Sequence, residues 1–166
     1  MSSTTEVLSN WSTLIENFQT SPQQFYSVLT SALQKRQMPN ARIDRVSFRE
    51  SHLLSAKREY LRISCKGDFY FAICGAPFGT GFFVSWWLLQ PPDGCLAQMF
   101  APFPGLSILA RAMVKPWTYY RIDTATMFRT ATHQAVLEVI DMIISEKNLP
   151  ALPESERKPI LKGFLA

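Results

Sequence analysis

The stretch FYFAICGAPFGTGFFVSWWLLQ, residues 69–90, decides the fold class of this chain. It holds two apolar runs, FYFAIC and FFVSWWLLQ, which are joined by the glycine-rich connection GAPFGTG. Short runs that are rich in aromatic and β-branched residues, separated by glycine and proline, are typical of neighbouring β-strands. Neither run alternates with polar residues, so we expect these strands to be buried on both faces or covered by another element. The glycines lack the lysine and the following helix of a phosphate-binding loop, and we interpret them as turn residues.

Two further strand patterns precede this stretch, RIDRVSF at residues 42–48 and REYLRISCK at residues 58–66. In the second pattern, Leu61, Ile63 and Cys65 alternate with polar residues, which is typical of a strand with one buried face. Lys66, Gly67 and Asp68 then supply a tight turn into residue 69. The sequence therefore predicts a four-stranded antiparallel meander over residues 42–90.

Helical patterns precede the sheet. Residues 3–6 (STTE) fit a capping box, and apolar residues follow at helical spacing, which predicts a first helix that ends near Thr20. Ser21 and Pro22 are typical of the start of a second helix. Residues 1–37 are therefore predicted to form a helical hairpin.

A long helix is expected after the sheet, capped by Asp123 or Thr124 and covering residues 123–147. Between the sheet and this helix, residues 91–117 have no clean period and form an irregular apolar segment. A proline-punctuated tail, residues 148–166, follows the helix. This order of elements predicts a single α+β domain with its helices packed against one face of the sheet.

Composition indicates a folded cytoplasmic protein. The chain has 166 residues and a formal net charge of +4, and its length favours one domain with a real core. No secretory signal is visible at the N-terminus. The three cysteines and two histidines lack the spacing of metal ligands, so we expect free thiols in a reducing compartment, no metal and no cofactor.

The charge is unevenly distributed, since Asp93 is the only charged residue between Phe69 and Ala110. So long a neutral, aromatic segment must be covered by the protein's own core, by a partner or by a membrane surface. We expect a protein partner, or alternatively a peripheral membrane contact, because large aromatic side chains commonly dominate binding energy at interfaces. The candidate anchors are Trp86, Trp87, Phe100, Phe103, Leu106 and Trp117.

A basic strand face offers a third interpretation. Arg58, Tyr60, Arg62 and Lys66 share one side of the second predicted strand, and interleaved cations and aromatics can bind single-stranded nucleic acid. The small net charge and the nearby glutamates argue against nucleic acid as the partner. A solvated sheet face is the simpler explanation.

Cys95 lies in the segment QPPDGCL, after the fourth predicted strand and before a long helix. This order of elements resembles the ubiquitin-conjugating enzymes, in which a helix, a four-stranded meander and a His-Pro-Asn turn lead to a thioester cysteine. The resemblance implies Cys95 as the nucleophile, Gln90 as a second catalytic residue at the position of the His-Pro-Asn turn, and a ubiquitin-like protein with its activating enzyme as partners. Gln90 and the two prolines after it stand where that family has His-Pro-Asn, and a packed, unreactive thiol is the alternative.

A second resemblance covers more of the chain. The blocks APFGTGFFVSWWL and TYYRIDT…AVLEVID are similar to those of an uncharacterised family of bacterial proteins, some of which have an apolar membrane hairpin between the two blocks. That family has no established activity. We therefore predict a non-enzymatic protein-interaction module of a bacterial multi-protein system, which contacts a partner or a membrane surface through the fourth strand and residues 91–117.

Overall fold

The computed structural model describes residues 6–48, 58–65, 69–90 and 117–162. In this part of the chain, six strands form one antiparallel sheet and two helices pack on one of its faces, which confirms the α+β class. The strand order across the sheet is β2-β3-β4-β5-β1-β6. In chain order the elements are β1 (Glu6–Ile15), α1 (Pro22–Lys35), β2 (Ala41–Phe48), β3 (Arg58–Cys65), β4 (Phe69–Phe78), β5 (Gly81–Gln90), α2 (Tyr119–Lys147) and β6 (Ile160–Leu161).

The stretch that decides the fold class forms the β4–β5 hairpin. Its pairing begins with Phe78 opposite Gly81, beside the turn, and continues to Tyr70 opposite Leu89. Gly79 lies in the turn with a φ of 59°. This left-handed conformation costs glycine little, which is why a glycine connection closes the hairpin so tightly.

The predicted N-terminal helical hairpin is wrong, because Glu6–Ile15 is strand β1. This strand pairs with β5 over almost its whole length. Its inward and outward positions alternate: Trp11, Thr13 and Ile15 are buried, while Ser12 and Leu14 are exposed. A period of two fits a strand that is half-buried, and not a helix. The predicted four-stranded sheet is correspondingly too small, since β1 and β6 extend it beyond β5.

Helix α1 matches the second predicted helix and has the expected cap. The Ser21 hydroxyl accepts a hydrogen bond from the Gln24 N–H at 3.1 Å, and Pro22 takes the first helical position. Both features stabilise a helix start, because the first N–H groups have no partner within the helix. The buried side of α1 includes Phe25, Leu29 and Leu33.

Helix α2 begins about one turn earlier than predicted. Thr118, and not Asp123 or Thr124, is the N-cap, and its hydroxyl accepts a hydrogen bond from the Arg121 N–H at 3.3 Å. The helix ends at Asn148, which has a left-handed φ of 52°. Asparagine is one of the few residues that adopt this conformation at modest cost.

The core lies between the helices and the inner face of the sheet, the face that carries Trp11, Phe71 and Trp86. Phe71 makes edge-on contacts with Trp86 and with Phe128 of α2, each with ring centroids 5.2 Å apart. Phe25 of α1 packs against Phe82 of β5 at 5.3 Å. Edge-on and tilted aromatic pairs of this kind add to the stabilisation that comes from apolar burial.

Tyr26 of α1 closes a gap in the sheet. The β3–β4 pairing ends with Leu61 opposite Ile73. Beyond that pair, the Tyr26 hydroxyl accepts a hydrogen bond from the Gly75 N–H at 3.0 Å and donates one to the Glu59 carbonyl at 2.8 Å. Burial raises the pKa of Tyr26 well above its ordinary value, so this hydroxyl stays protonated and keeps its donor.

Residues 149–162, which we call the C-terminal strap, return along β1 and α2. The Trp11 indole N–H donates to the Glu156 carbonyl, and the Thr13 hydroxyl donates to the Glu156 carboxylate at 3.0 Å. The Arg157 guanidinium forms an ion pair with Asp141 of α2. The strap therefore bonds to both layers of the domain through side chains and continues into the short strand β6.

Candidate functional site

The two faces of the sheet differ in how they are covered. Both helices pack on the inner face, and the described residues place no helix over the outer face. On β1, β4 and β5 the outer face carries no charged side chain; we call its larger apolar residues the outer apolar patch. They are Val7, Leu14, Tyr70, Phe78, Phe83, Trp87 and Leu89.

Several members of the outer apolar patch are well exposed. Leu14 is 41% exposed, Trp87 is 38% exposed and Phe78 is 71% exposed. Between them lie small residues that are nearly inaccessible, Ala72, Cys74 and Ser85. Several exposed apolar side chains on one surface without charges are typical of an interaction surface.

The predicted anchors Trp86 and Trp87 point in opposite directions. Trp87 lies in the outer apolar patch. Trp86 is fully buried in the core, so it is wrong as a contact residue. Neighbouring residues of a strand face opposite sides of a sheet, which allows only one of the two indoles to reach a partner.

The burial of Trp86 is explained by His133 of α2. The Trp86 indole N–H donates to Nδ1 of His133 at 3.1 Å, and Nε2 of His133 bonds to the Arg157 carbonyl at 2.7 Å. Nδ1 must accept and Nε2 must therefore donate, which defines the neutral tautomer. Burial lowers the pKa of His133, in keeping with that assignment. His133 links β5, α2 and the strap, as expected of a structural histidine.

Trp117 and Gln90 flank the end of the sheet where β4 begins. The Trp117 ring stacks on Phe69 with centroids 5.8 Å apart, and the Arg121 guanidinium lies 4.8 Å from the Trp117 centroid. Gln90 is buried at the end of β5, and its Oε1 has no hydrogen-bond partner among the described residues. Cys95, Phe100, Phe103 and Leu106 lie outside the described residues, so their predicted roles stay predictions.

The basic strand face is present on β3 but is partly neutralised. Arg58, Tyr60 and Arg62 share the outer face, and Lys66 lies outside the described residues. The Arg62 guanidinium forms two hydrogen bonds with Asp44 of β2, and these bonds hold the pKa of that carboxyl below its usual range. One of the three described members of this face is thus engaged in an ion pair.

The two described cysteines are poorly placed for nucleophilic chemistry. Cys65 and Cys74 are buried, and burial raises the pKa of the Cys74 thiol, which makes the nucleophilic thiolate scarce. Within the described ranges, no three His, Cys, Asp or Glu side chains lie close enough together to share a metal ion.

Sequence reasoning misses Leu14 and Phe78. The helical pattern places Leu14 in a helix, although the alternation of buried Trp11 and Thr13 with polar Ser12 is a signal for a strand. Phe78 falls within the glycine-rich connection, but it is the last residue of β4 and its side chain is the most exposed of the patch.

Comparison of the chain with family models, with curated proteins and with solved structures found no match. Neither described helix combines the length and the apolar character that crossing a membrane requires.

Proposed function

We propose that this protein is an interaction module that binds another protein through the outer apolar patch. The observation that supports this proposal is the exposure of Leu14, Phe78 and Trp87 on the part of the outer face formed by β1, β4 and β5. This part carries no charged side chain and lies opposite the face that both helices cover. Residues 91–117, which we also expect to take part, follow directly after β5.

The shape of the patch favours a protein over a lipid surface. Its centre is formed by the small residues Ala72, Cys74 and Ser85, with larger side chains such as Trp87 and Phe83 beside them. Insertion into a bilayer interface needs apolar side chains that project together from one surface. Small and large apolar side chains side by side instead form an uneven surface, which suits the side chains of a folded partner better than a bilayer interface.

The proposal is tested with a photo-crosslinking amino acid at position 14 in cells of the source organism. Position 28 is the matched control, because Val28 lies on α1 and is also 41% exposed. We expect a discrete crosslinked protein from position 14 and none from position 28. The identified protein is then purified and its affinity for the wild-type chain, for Leu14→Glu and for Val28→Glu is measured.

Loss of one anchor should weaken binding at least tenfold, which corresponds to about 1.4 kcal/mol, and Val28→Glu should change affinity less than about twofold. Crosslinking from position 28 alone, or equal binding by the wild-type chain and Leu14→Glu, would refute the outer apolar patch as the docking surface.

A further inference from the structure

The outer face of β2 and β3 borders the outer apolar patch and is cationic. Its described residues include three arginines, Arg42, Arg58 and Arg62, against one carboxylate, Asp44. Asp44 is engaged by Arg62. Neither Arg42 nor Arg58 forms an ion pair with another described residue, and both side chains are exposed.

These two arginines lie beside the patch at different positions along the strands. Arg58 is on β3, which borders the patch, and Arg42 is on β2, one strand farther from it. Arg42 is paired with Ser64, which lies six residues along β3 from Arg58. At about 3.3 Å per residue, the two positions are roughly 20 Å apart in the direction of the strands. The outer face of β2 and β3 therefore offers two separate positive charges, one near each end of the patch.

The dimensions of the patch match one α-helix. Three adjacent strands at about 4.8 Å spacing give a width of roughly 10–15 Å, which compares with about 10–12 Å for a helix with its side chains. From Leu89 to Phe83 the patch extends roughly 20 Å, the length of about 13 helical residues. A helix that lies parallel to the strands would turn one flank toward β3 and β2, the strands that carry Arg58 and Arg42.

We infer that the partner of the outer apolar patch presents an amphipathic helix with apolar residues on one face and acidic residues at both ends of one flank. This inference rests on the proposed function and specifies the chemistry of the partner. The apolar face packs between Trp87, Phe83 and Leu14, and the acidic side chains pair with Arg42 and Arg58. Complementary charges at the rim select the partner and its orientation more than they raise affinity.

A selection experiment tests the inference even while the partner is unidentified. A displayed library of amphipathic helices of about 16 residues keeps a leucine face constant and varies the flanking positions among Glu, Gln and Lys. It is selected on the full-length wild-type chain and on Arg42→Glu/Arg58→Glu. The control for the change in net charge is Lys35→Glu/Lys147→Glu, which alters exposed lysines on the helical layer.

We expect helices selected on the wild-type chain and on the lysine control to carry Glu at two flanking positions about 13 residues apart. Helices selected on the arginine variant should carry Lys there, and each class should bind the other target at least tenfold more weakly. Every selected helix should lose binding to Leu14→Glu.

The outcomes separate the two proposals. The acidic partner would be overturned if the wild-type chain and the arginine variant selected the same residues at the flanking positions. The docking surface would stand if these helices still lost binding to Leu14→Glu. Helices that bind Leu14→Glu as well as the wild-type chain would overturn the docking surface itself. Binding of oligo(dT) or of phosphatidylserine vesicles that depends on Arg42 and Arg58, without selected helices, would also overturn the acidic helix.

Discussion

Replacement of Tyr26 by phenylalanine removes one oxygen atom from the core. The ring and its packing remain, but the Gly75 N–H loses its acceptor and the Glu59 carbonyl loses its donor. The bond from Gly75 is buried, whereas the bond to Glu59 is only part-buried. Water can therefore replace the lost donor at Glu59 more readily than the lost acceptor at Gly75.

The loss of stability in Tyr26→Phe follows from leaving these two backbone groups without their partner. An unpaired buried N–H costs about 1–3 kcal/mol, and an ordinary hydrogen bond contributes about 0.5–1.5 kcal/mol. Tyr26→Phe should therefore lower the free energy of unfolding by about 2–4 kcal/mol. In a domain of this size, 1 kcal/mol corresponds to roughly 2–4 °C in Tm, so the Tm should fall by roughly 5–15 °C.

Urea denaturation followed by circular dichroism measures the effect, and the change should lie in the midpoint with an unaltered m-value. Tyr119→Phe is the matched control: it removes the same atom from a side chain that is 89% exposed and should change stability by less than about 0.5 kcal/mol. If Tyr26→Phe were as stable as Tyr119→Phe, the bridging role of the hydroxyl would be refuted.

Three further predictions concern other parts of the domain. Because the pKa of His133 is lower in the folded state than its unfolded value of 6.5, the unfolded chain binds more protons near and below that pH. The free energy of unfolding should then fall as pH decreases below about 6.5, by up to about 1.4 kcal/mol per pH unit, and His133→Gln should lack this part of the slope in urea titrations at several pH values. Gly75→Ala should cost about 1–3 kcal/mol in the same assay, since its Cβ would lie 2.5 Å from Cδ1 of Phe25; an unchanged midpoint would contradict the close approach. If Cys95 is a thioester nucleophile, Cys95→Ser should form an ester with a ubiquitin-like protein when the activating enzyme of that protein is supplied. This ester should resist reducing agents, and an absence of adduct on gels would count against that alternative.

The sequence predicts the β4–β5 hairpin and strand β3 because their signals are local. Leu61, Ile63 and Cys65 alternate with polar residues, and all three are buried. Ser21 and Pro22, two adjacent residues, likewise indicate the start of α1. In each case, the pattern within a few residues agrees with the packing that the whole fold imposes.

The N-terminal strand could not be predicted in this way, because its signals conflict. Its apolar residues also fit a helical period, and two of its inward positions, Ser9 and Thr13, are polar. Ser9 is accommodated by a hydrogen bond to the Ile160 carbonyl and Thr13 by its bond to Glu156, both in the strap. The strand is therefore determined by partners distant in sequence, β5 and the strap, and not by local propensity.

The candidate site could be predicted only in part for a similar reason. Composition points to the aromatic strand, and Trp87 is indeed on an exposed face. Periodicity cannot tell whether Trp86 or Trp87 faces the helices, since both sides of that strand are apolar. Pairing with β1 resolves the ambiguity, because Trp11 lies opposite Trp86 and both contact His133.

The position of β1 in the sheet has a consequence for biosynthesis. This strand leaves the ribosome before the other strands, yet it lies between β5 and β6, which are made much later. Until β5 has been synthesised, β1 has none of its strand neighbours, and the nascent chain exposes Trp11 and the other apolar residues of β1. Contacts between residues far apart in sequence also slow folding. Formation of the sheet around β1 therefore has to wait for β5 and β6, and β1 becomes structured together with the C-terminal strap.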